Sequence, residues 1–341
     1  MALKALLPNV ARDLRSLRDF ADEVALLSTL KHPHIVACYG AGLRPAGPAP
    51  GASPVPFLCM EAVTGSDLRS LVTRATMEPG VYTPADVMRW AYQMSSALNH
   101  LHTRSPMVIY RDLKLENVML NGAQRPACRV ARLRLTCAPR RRRADHWDVR
   151  LTDLGLAKII LQDPSLRFGR YVMTGGTGCA PSAHAPPLGL YQLAHCRRAC
   201  RFRSLKYMAP EVVKSNKANE RVDQYSFAIV LWELLSRKGL LFLRTVRQPN
   251  GTRVEMTPQM WADEAMKGAR PMLSSEWPEA LARVIANCWH HEPLKRPRFS
   301  DVMAHLYPEL KPEQWTDPTK GGPVAGGAKS GGGEGGCCSV Q

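Results

Sequence analysis

Thirteen residues, VIYRDLKLENVML, place an acid, a cation and an amide close together between apolar runs. Asp112 is followed two positions later by Lys114, and Asn117 comes three positions after that. A carboxylate can accept a proton, an ammonium group can steady a phosphate, and carboxylate and amide oxygens bind hard metal ions. The residue types and their spacing therefore indicate the transfer of a phosphoryl group.

This stretch resembles the catalytic loop of protein kinases, with Tyr110 in place of the usual leading His. The resemblance implies that Asp112 accepts or orients the proton of a substrate hydroxyl, that Lys114 steadies the transferred phosphoryl group and that Asn117 binds a metal ion. Companion motifs follow in the order that the family requires.

Three downstream motifs extend the resemblance. The run LTDLG resembles Asp-Phe-Gly with Leu for Phe, which implies that Asp153 chelates Mg²⁺. The run YMAPE matches the Ala-Pro-Glu anchor, and the resemblance pairs its Glu211 with Arg296 of PLKRP in a buried ion pair. Asp223 matches the start of the buried central helix, where an Asp holds the backbone of the catalytic loop.

Upstream, MALK resembles Val-Ala-Ile-Lys on the third strand of the family. Lys4 would then contact the α and β phosphates of ATP and pair with Glu23 of FADEVALL. The run HPHIVACYG resembles His-Pro-Asn-Ile-Val, which supports this alignment. The resemblance places further nucleotide contacts at Ala2, at the gatekeeper Met60, at the hinge residues Glu61, Ala62 and Val63, and at Met119.

The subclass follows from IANCWHHEPLKRPRFSDVMAHL, which resembles the ending of the tyrosine-kinase-like group, whose plant and algal members mostly phosphorylate Ser or Thr. Lys114 agrees with this assignment, because tyrosine-specific members of the family carry different residues at this position. The resemblance implies a signalling kinase that uses ATP and Mg²⁺, or Mn²⁺ in its place, and acts on protein substrates. The alternative is a catalytically impaired, pseudokinase-like scaffold that binds protein partners.

Apolar spacing predicts the helix that carries Glu23. Between residues 12 and 31, apolar residues recur at intervals of three and four, the pattern of one helix face. The predicted face consists of Leu14, Leu17, Phe20, Val24, Leu27 and Leu30. The runs HIVACYG and VPFLCMEAV are predicted to be strands joined by an exposed loop, AGLRPAGPAPGASP.

The remaining chain is predicted to be mainly helical. Thr83 caps the amphipathic run VMRWAYQMSSALNHLH, and VDQYSFAIVLWELL is apolar nearly all round, as in a helix buried in a core. A strand-rich part, residues 1–63, thus precedes a larger helical part, residues 64–310. With the motifs, this predicts an α+β, bilobal protein-kinase-like fold with an incomplete small β-rich lobe and a larger, mainly helical lobe.

The chain begins at the strand that carries Lys4. The resemblance implies two earlier strands and a Gly-rich loop whose backbone amides shield the ATP phosphates. We therefore expect that this part is missing, that the small lobe lacks part of its sheet, and that ATP binds weakly.

Two basic segments interrupt the resemblance, near 123–148 and 179–203. The first has a charge balance of +6 and the second of +4, so together they hold +10 of the net charge of +17. Joining the flanks of the second gives MTGGTGSLKYMAPEV, a continuous activation segment, so we interpret both as retained introns or gene-model errors and predict that they are disordered. Ser204 then faces the substrate, and Thr174 and Thr177 are either phosphorylation sites or plain loop residues.

Composition bears on partners and location. The run Arg140–Arg143 lies inside an insert, so no nucleic-acid binding is expected, and the Cys and His residues of the second insert lack the paired spacing of a zinc site. Apolar runs are too short for a membrane span, so we expect a cytoplasmic protein with reduced cysteines. Residues 311–341 read as a flexible Gly-rich tail whose Cys338 fits a farnesylation motif and whose Cys337 could carry palmitate. The tail is therefore either a lipid anchor for peripheral membrane association or a free tail without such a role.

Overall fold

A computed structural model describes residues 1–7, 10–44, 54–122, 147–161, 172–173, 202–215, 219–240, 245–247 and 253–310. Most of both predicted inserts, the candidate phosphorylation sites Thr174 and Thr177, and the lipidation candidates Cys337 and Cys338 lie outside these residues. Within them, a small sheet comes first and a mainly helical part follows, which is the predicted α+β architecture.

The first sheet has three antiparallel strands, β1 (Ala2–Ala5), β2 (Cys38–Arg44) and β3 (Val55–Met60), in the order β1-β3-β2. The prediction for β2 was wrong in its bounds, because the strand starts later than HIVACYG and continues through residues predicted as loop. Ile35 instead forms an isolated bridge with Leu151 in the larger part. The bridge ties the small sheet to the strand that precedes Asp153.

Helix α1 (Leu14–Thr29) carries Glu23 across the small sheet. Asp13 caps it by accepting hydrogen bonds from the backbone N–H groups of residues 15 and 16. Phe20 and Leu27 are buried as predicted, whereas Leu14 is exposed, which corrects that part of the predicted face. The buried stripe also includes Glu23, beside the partly buried Val24 that packs against the core. Apolar periodicity does not predict a buried Glu23, because its carboxylate is accommodated by a cationic partner on β1.

Seven further helices build the described part of the larger region: α2 (Leu68–Met77), α3 (Pro84–His102), α4 (Pro210–Ser215), α5 (Arg221–Ser236), α6 (Pro258–Met266), α7 (Glu279–Cys288) and α8 (Phe299–Leu306). Thr83 and Asp86 form a capping box at the start of α3, and α5 is buried along nearly its whole length. Both features confirm the predictions made from the sequence.

Short strands hold the loops of the site. Strand β4 (Met107–Ile109) pairs with β7 (Lys158–Leu161), which also pairs with β8 (Val172–Met173). Strands β5 (Val118–Asn121) and β6 (Asp148–Leu151) form an antiparallel hairpin that closes at the pair Asn121–Asp148. The first basic insert therefore begins and ends at the tip of one hairpin.

Two more strands, β9 (Thr245–Arg247) and β10 (Arg253–Glu255), form a separate antiparallel pair. In the part of the chain that the structure describes, no helix has the length and apolar character needed to cross a membrane.

Candidate active site

Lys4 joins three separate elements at the edge of the small sheet. Its ammonium group donates to both carboxylate oxygens of Glu23, at 2.7 and 2.9 Å, and to Oδ1 of Asp153 at 3.0 Å. Strand β1 supplies the lysine, α1 the glutamate, and the segment after β6 the aspartate. Three residues that the motifs predicted independently therefore meet at one nitrogen atom.

The environment changes the pKa of each group in this cluster. Burial acts to lower the pKa of Lys4, but the carboxylates of Asp153 and Glu23 outweigh it and raise the pKa. Burial raises the pKa of Glu23, and the nearby Lys4 offsets this only in part. Burial also acts to raise the pKa of Asp153, but Lys4 outweighs it, so this pKa is lowered. Asp153 is thus held ionised, as a metal ligand must be.

The catalytic loop forms a second cluster. Lys114 Nζ donates to Oδ2 of Asp112 at 2.5 Å, and Asn117 Nδ2 donates to the same oxygen at 2.8 Å and to the Asp112 carbonyl at 2.9 Å. Asn117 lies in a short 3₁₀ turn, Leu115–Asn117, which brings its amide back over Asp112. The spacing of five residues between the two becomes direct contact through this turn.

A buried carboxylate from α5 fixes the backbone before the loop. Asp223 accepts hydrogen bonds from the backbone N–H groups of Tyr110 and Arg111, each at 2.8 Å, and from His102 Nε2 at 2.8 Å. Arg111 has φ of 68°, a left-handed conformation that costs free energy in a non-glycine residue. Asp223 holds this conformation through the Arg111 N–H group, and sequence reasoning did not identify His102 as a partner.

Tyr110 and Thr152 connect the two clusters. The buried Tyr110 hydroxyl donates to the carbonyl of Thr152, and the Thr152 N–H and hydroxyl groups donate to the Asn117 carbonyl at 2.9 and 3.1 Å. Burial raises the pKa of Tyr110, so the hydroxyl stays protonated and able to donate. Asp153, which follows with φ of 54°, is thereby placed relative to Asn117.

The predicted contacts to the base lie on β1, on β3, in the segment after β3 and on β5. Ala2 pairs with Met60 across the two strands, while Ala62 is exposed and Val63 and Met119 are partly buried. Glu61 does not offer its N–H group, which donates to the Ala37 carbonyl at 2.8 Å.

The Glu61 carboxylate is also engaged, since it accepts from Arg150 Nε at 3.2 Å and from Asn121 Nδ2 at 3.0 Å. The side chain of Glu61 therefore anchors this segment to the β5–β6 hairpin.

Glu211 and Arg296, the predicted anchor pair, form an ion pair in the helical part. Arg296 donates to both carboxylate oxygens of Glu211, at 2.7 and 2.9 Å, and its side chain is fully buried. Sequence reasoning had brought these residues together over a separation of 85 positions. Ser204 lies in the 3₁₀ helix Phe202–Tyr207, which leads into α4.

One charged cluster escaped the sequence reasoning. Arg69 on α2 contacts Glu116, Tyr207 and the fully buried Glu233 of α5, which also binds Lys206. A glutamate inside the apolar run VLWELL was the available signal, because a buried carboxylate needs a partner.

The donor set fits a hard divalent cation held together with nucleotide phosphates. Among the residues that the structure describes, no group of three or more His, Cys, Asp and Glu side chains is arranged to hold a metal ion by itself. Asp153 and Asn117 offer carboxylate and amide oxygens, and Mg²⁺ is commonly bound by one or two such ligands plus substrate phosphates and water. These two residues therefore suit a metal that arrives with a nucleotide.

A small sheet with a paired lysine, a catalytic loop held by a buried aspartate, and an anchoring Glu–Arg pair are together the features of a protein kinase domain. The chain belongs to the protein kinase domain family, whose model matches residues 1–308.

Individual relatives agree with the predicted tyrosine-kinase-like group. The serine/threonine-protein kinase VIK of Arabidopsis thaliana is 29% identical over 308 residues, which cover 90% of this chain and 54% of that protein. The serine/threonine/tyrosine-protein kinase HT1 of the same plant is 30% identical over 85% of this chain and 54% of its own length. A putative serine/threonine-protein kinase/receptor, R818, of Acanthamoeba polyphaga mimivirus is 26% identical over 89% of this chain and 13% of its own. The chain thus spans about half or less of the length of these relatives.

Proposed function

We propose that this chain is a Ser/Thr protein kinase that transfers the γ-phosphate of ATP to hydroxyl groups of protein substrates. The contact of Lys4 with both Glu23 and Asp153 carries the proposal, because it joins the phosphate-binding cation to the metal-binding carboxylate. A packed core alone gives no reason to bring one partly exposed ammonium group between two carboxylates.

Each residue then has a role that its contacts support. Asp112 orients the substrate hydroxyl and takes up its proton, and Lys114, already at its carboxylate, steadies the transferred group. Asn117 and Asp153 would hold Mg²⁺, with Mn²⁺ as a substitute, and the bound ion would neutralise phosphate charge. Ala2, Met60, Ala62, Val63 and Met119 would contact the base, together with the Glu61 carbonyl.

The test is phosphotransfer by the purified full chain with labelled Mg-ATP and peptide pools that contain Ser, Thr or Tyr as the acceptor. We expect label on the Ser and Thr pools. Asp112→Asn is expected to lower the rate by about 10³-fold or more, because it removes the carboxylate that orients the hydroxyl. Label on the Tyr pool alone would contradict the assignment of specificity.

The scaffold alternative makes a different prediction. A scaffold gives no phosphotransfer at any Mg-ATP concentration, whether or not Mg-ATP raises the melting temperature of the chain. The pairing of Lys4, Glu23 and Asp153 in the described structure favours the active enzyme, since a scaffold does not need these contacts.

For location, we propose a cytoplasmic protein that a C-terminal farnesyl group on Cys338, with palmitate on Cys337, attaches to membranes. The support is the sequence CCSVQ, which offers both lipid signals needed for stable anchoring. Cys338→Ser should move the protein from the membrane fraction to the soluble fraction. A variant that fractionates like the original chain would remove this proposal.

A further inference from the structure

The cluster around Arg69 lies between the catalytic loop and the segment expected to receive the protein substrate. Arg69 is in the first turn of α2, and its Nε atom donates to Oε1 of Glu116 at 3.2 Å. Its Nη2 atom donates to the Tyr207 hydroxyl at 2.8 Å and to Oε2 of Glu233 at 3.1 Å. One guanidinium group therefore contacts three oxygen atoms on three different elements.

The two sides of this contact have different relations to the reaction. Glu116 lies within the turn Leu115–Asn117, directly before the metal-ligand candidate Asn117. Lys206 and Tyr207 end the 3₁₀ helix that contains Ser204, the substrate-facing candidate. Arg69 thus joins the turn that carries Asn117 to the platform that carries Ser204.

Compensation of the buried charge does not by itself require Arg69. The Glu233 carboxylate also accepts from Lys206 Nζ at 2.5 Å, from the Leu240 N–H group at 2.7 Å and from the Tyr207 hydroxyl. Burial lowers the pKa of Lys206, but Glu233 opposes this change. What Arg69 adds is the connection from this buried carboxylate to Glu116.

We propose that Arg69 is a positioning residue for phosphotransfer, which fixes the catalytic-loop turn through Glu116 relative to the substrate platform through Glu233 and Tyr207. The planar fork of an arginine can reach several oxygens at fixed angles, whereas a lysine ammonium is a point charge on a flexible stem. Arg69→Lys therefore keeps the positive charge beside Glu233 and loses the rigid link. The inference rests on the proposed kinase function.

The experiment compares Arg69→Lys with Arg74→Lys, a matched change at an exposed arginine on the same helix. For Arg69→Lys we expect kcat/KM for a Ser/Thr peptide to fall about tenfold, KM for Mg-ATP to stay within about twofold, and the melting temperature to change little. Arg74→Lys should match the original chain in all three measurements. A mainly structural role for Arg69 would instead lower the melting temperature and affect the peptide and ATP parameters together.

Glu116→Ala tests the same link from its other end, because it removes the oxygen that accepts from Arg69, and it keeps the inference testable if Arg69→Lys fails to fold. It should lower kcat/KM for the peptide as Arg69→Lys does. The kcat/KM of the double variant should be no lower than that of the less active single variant, because both changes break the same interaction. Multiplicative losses in the double variant, or an Arg69→Lys enzyme equal to Arg74→Lys, would overturn the inference. An original chain without phosphotransfer would instead refute the proposed function.

Discussion

Two glutamate–cation pairs, one in the helical part and one at the small sheet, share the same chemistry and differ in their surroundings. In the pair Glu211–Arg296 the arginine side chain is fully buried and also donates to the carbonyls of Arg221 and His290, at 2.8 and 2.9 Å. In the pair Glu23–Lys4 the lysine side chain is 36% exposed and shares its charge with Asp153.

The difference shows that two ion pairs of similar chemistry can have different roles when one is buried and the other is partly exposed. Arg296 has its donors satisfied by protein groups in a dry site, where losing one partner strands a buried charge. Lys4 is partly exposed and lies between two carboxylates, so it can exchange partners when phosphate and metal bind. The first pair is suited to holding the fold together and the second to the reaction.

The distinction between the two pairs can be tested most directly at Arg296. Arg296→Met should lower the free energy of unfolding by about 3–5 kcal/mol, because it removes the two hydrogen bonds to Glu211 together with the buried bonds to the carbonyls of Arg221 and His290. Denaturant unfolding measures this change. Lys295→Met, which removes an exposed ion pair with Glu292, is the control and should cost no more than about 1 kcal/mol. Equal losses for the two variants would contradict the distinction.

Lys4→Met should show the opposite profile. We expect phosphotransfer to fall by about 10²–10³-fold, because the phosphates lose a preorganised cation. The free energy of unfolding should fall less than in Arg296→Met, because the buried Glu23, whose pKa is already raised, can take up a proton when Lys4 is removed. Rates and unfolding curves are measured on the same preparation. Lys31→Met, at an exposed lysine just beyond α1, serves as the control and should leave the rate unchanged. A Lys4→Met variant that loses stability as Arg296→Met does would give both pairs the same role.

Removal of residues 124–146 tests whether either pair depends on the first basic insert. Asn121 and Asp148 are already paired, so Gly122, Ala123 and Trp147 can close the hairpin as a three-residue loop. We expect the free energy of unfolding to rise by up to about 2 kcal/mol, because a shorter loop costs less entropy to close. The rate of phosphotransfer should stay unchanged. An unfolded product would show that the insert belongs to the native structure.

The smallest effect concerns pH and the balance between burial and charge at Glu23. Because its pKa is raised in the folded chain, Glu23 binds a proton more tightly there than in the unfolded chain. The free energy of unfolding of the original chain, relative to Glu23→Gln, should therefore rise as the pH falls through this raised pKa toward the ordinary value of 4.5.

Unfolding curves of both proteins at several pH values between neutral and weakly acid conditions measure this difference. A stability relative to Glu23→Gln that decreases as the pH is lowered would mean that the attraction of Lys4 outweighs burial. Asp153 acts in the other direction, since its lowered pKa gives a contribution that is lost only at lower pH.

The fold was predictable where one pattern governed a segment. The capping box at Thr83 and the all-round apolar run of α5 led to correct helices. Strand β2 was misplaced because it continues past Gly40 through Gly42, which the prediction assigned to the loop AGLRPAGPAPGASP. Leu14 was wrongly assigned to the core because apolar periodicity cannot tell which end of a helix extends past its neighbours.

The sequence by itself determined which groups are the candidates for the chemistry. Asp112 and Asn117 lie five residues apart, and the short turn between them brings them into contact without help from distant parts of the chain. The order of the motifs likewise indicated the protein kinase family. That resemblance implied that Lys4, Glu23 and Asp153 lie close together in the fold.

Only the tertiary structure decided how those groups are held and which cation acts as an anchor. The hydrogen bond from Tyr110 to Thr152 and the contacts of Arg69 with Glu116 and Glu233 join positions 42 to 164 residues apart. No local pattern encodes such contacts, because burial and distance depend on how all the elements pack. The same packing buries the Arg296 side chain and leaves the Lys4 side chain partly exposed.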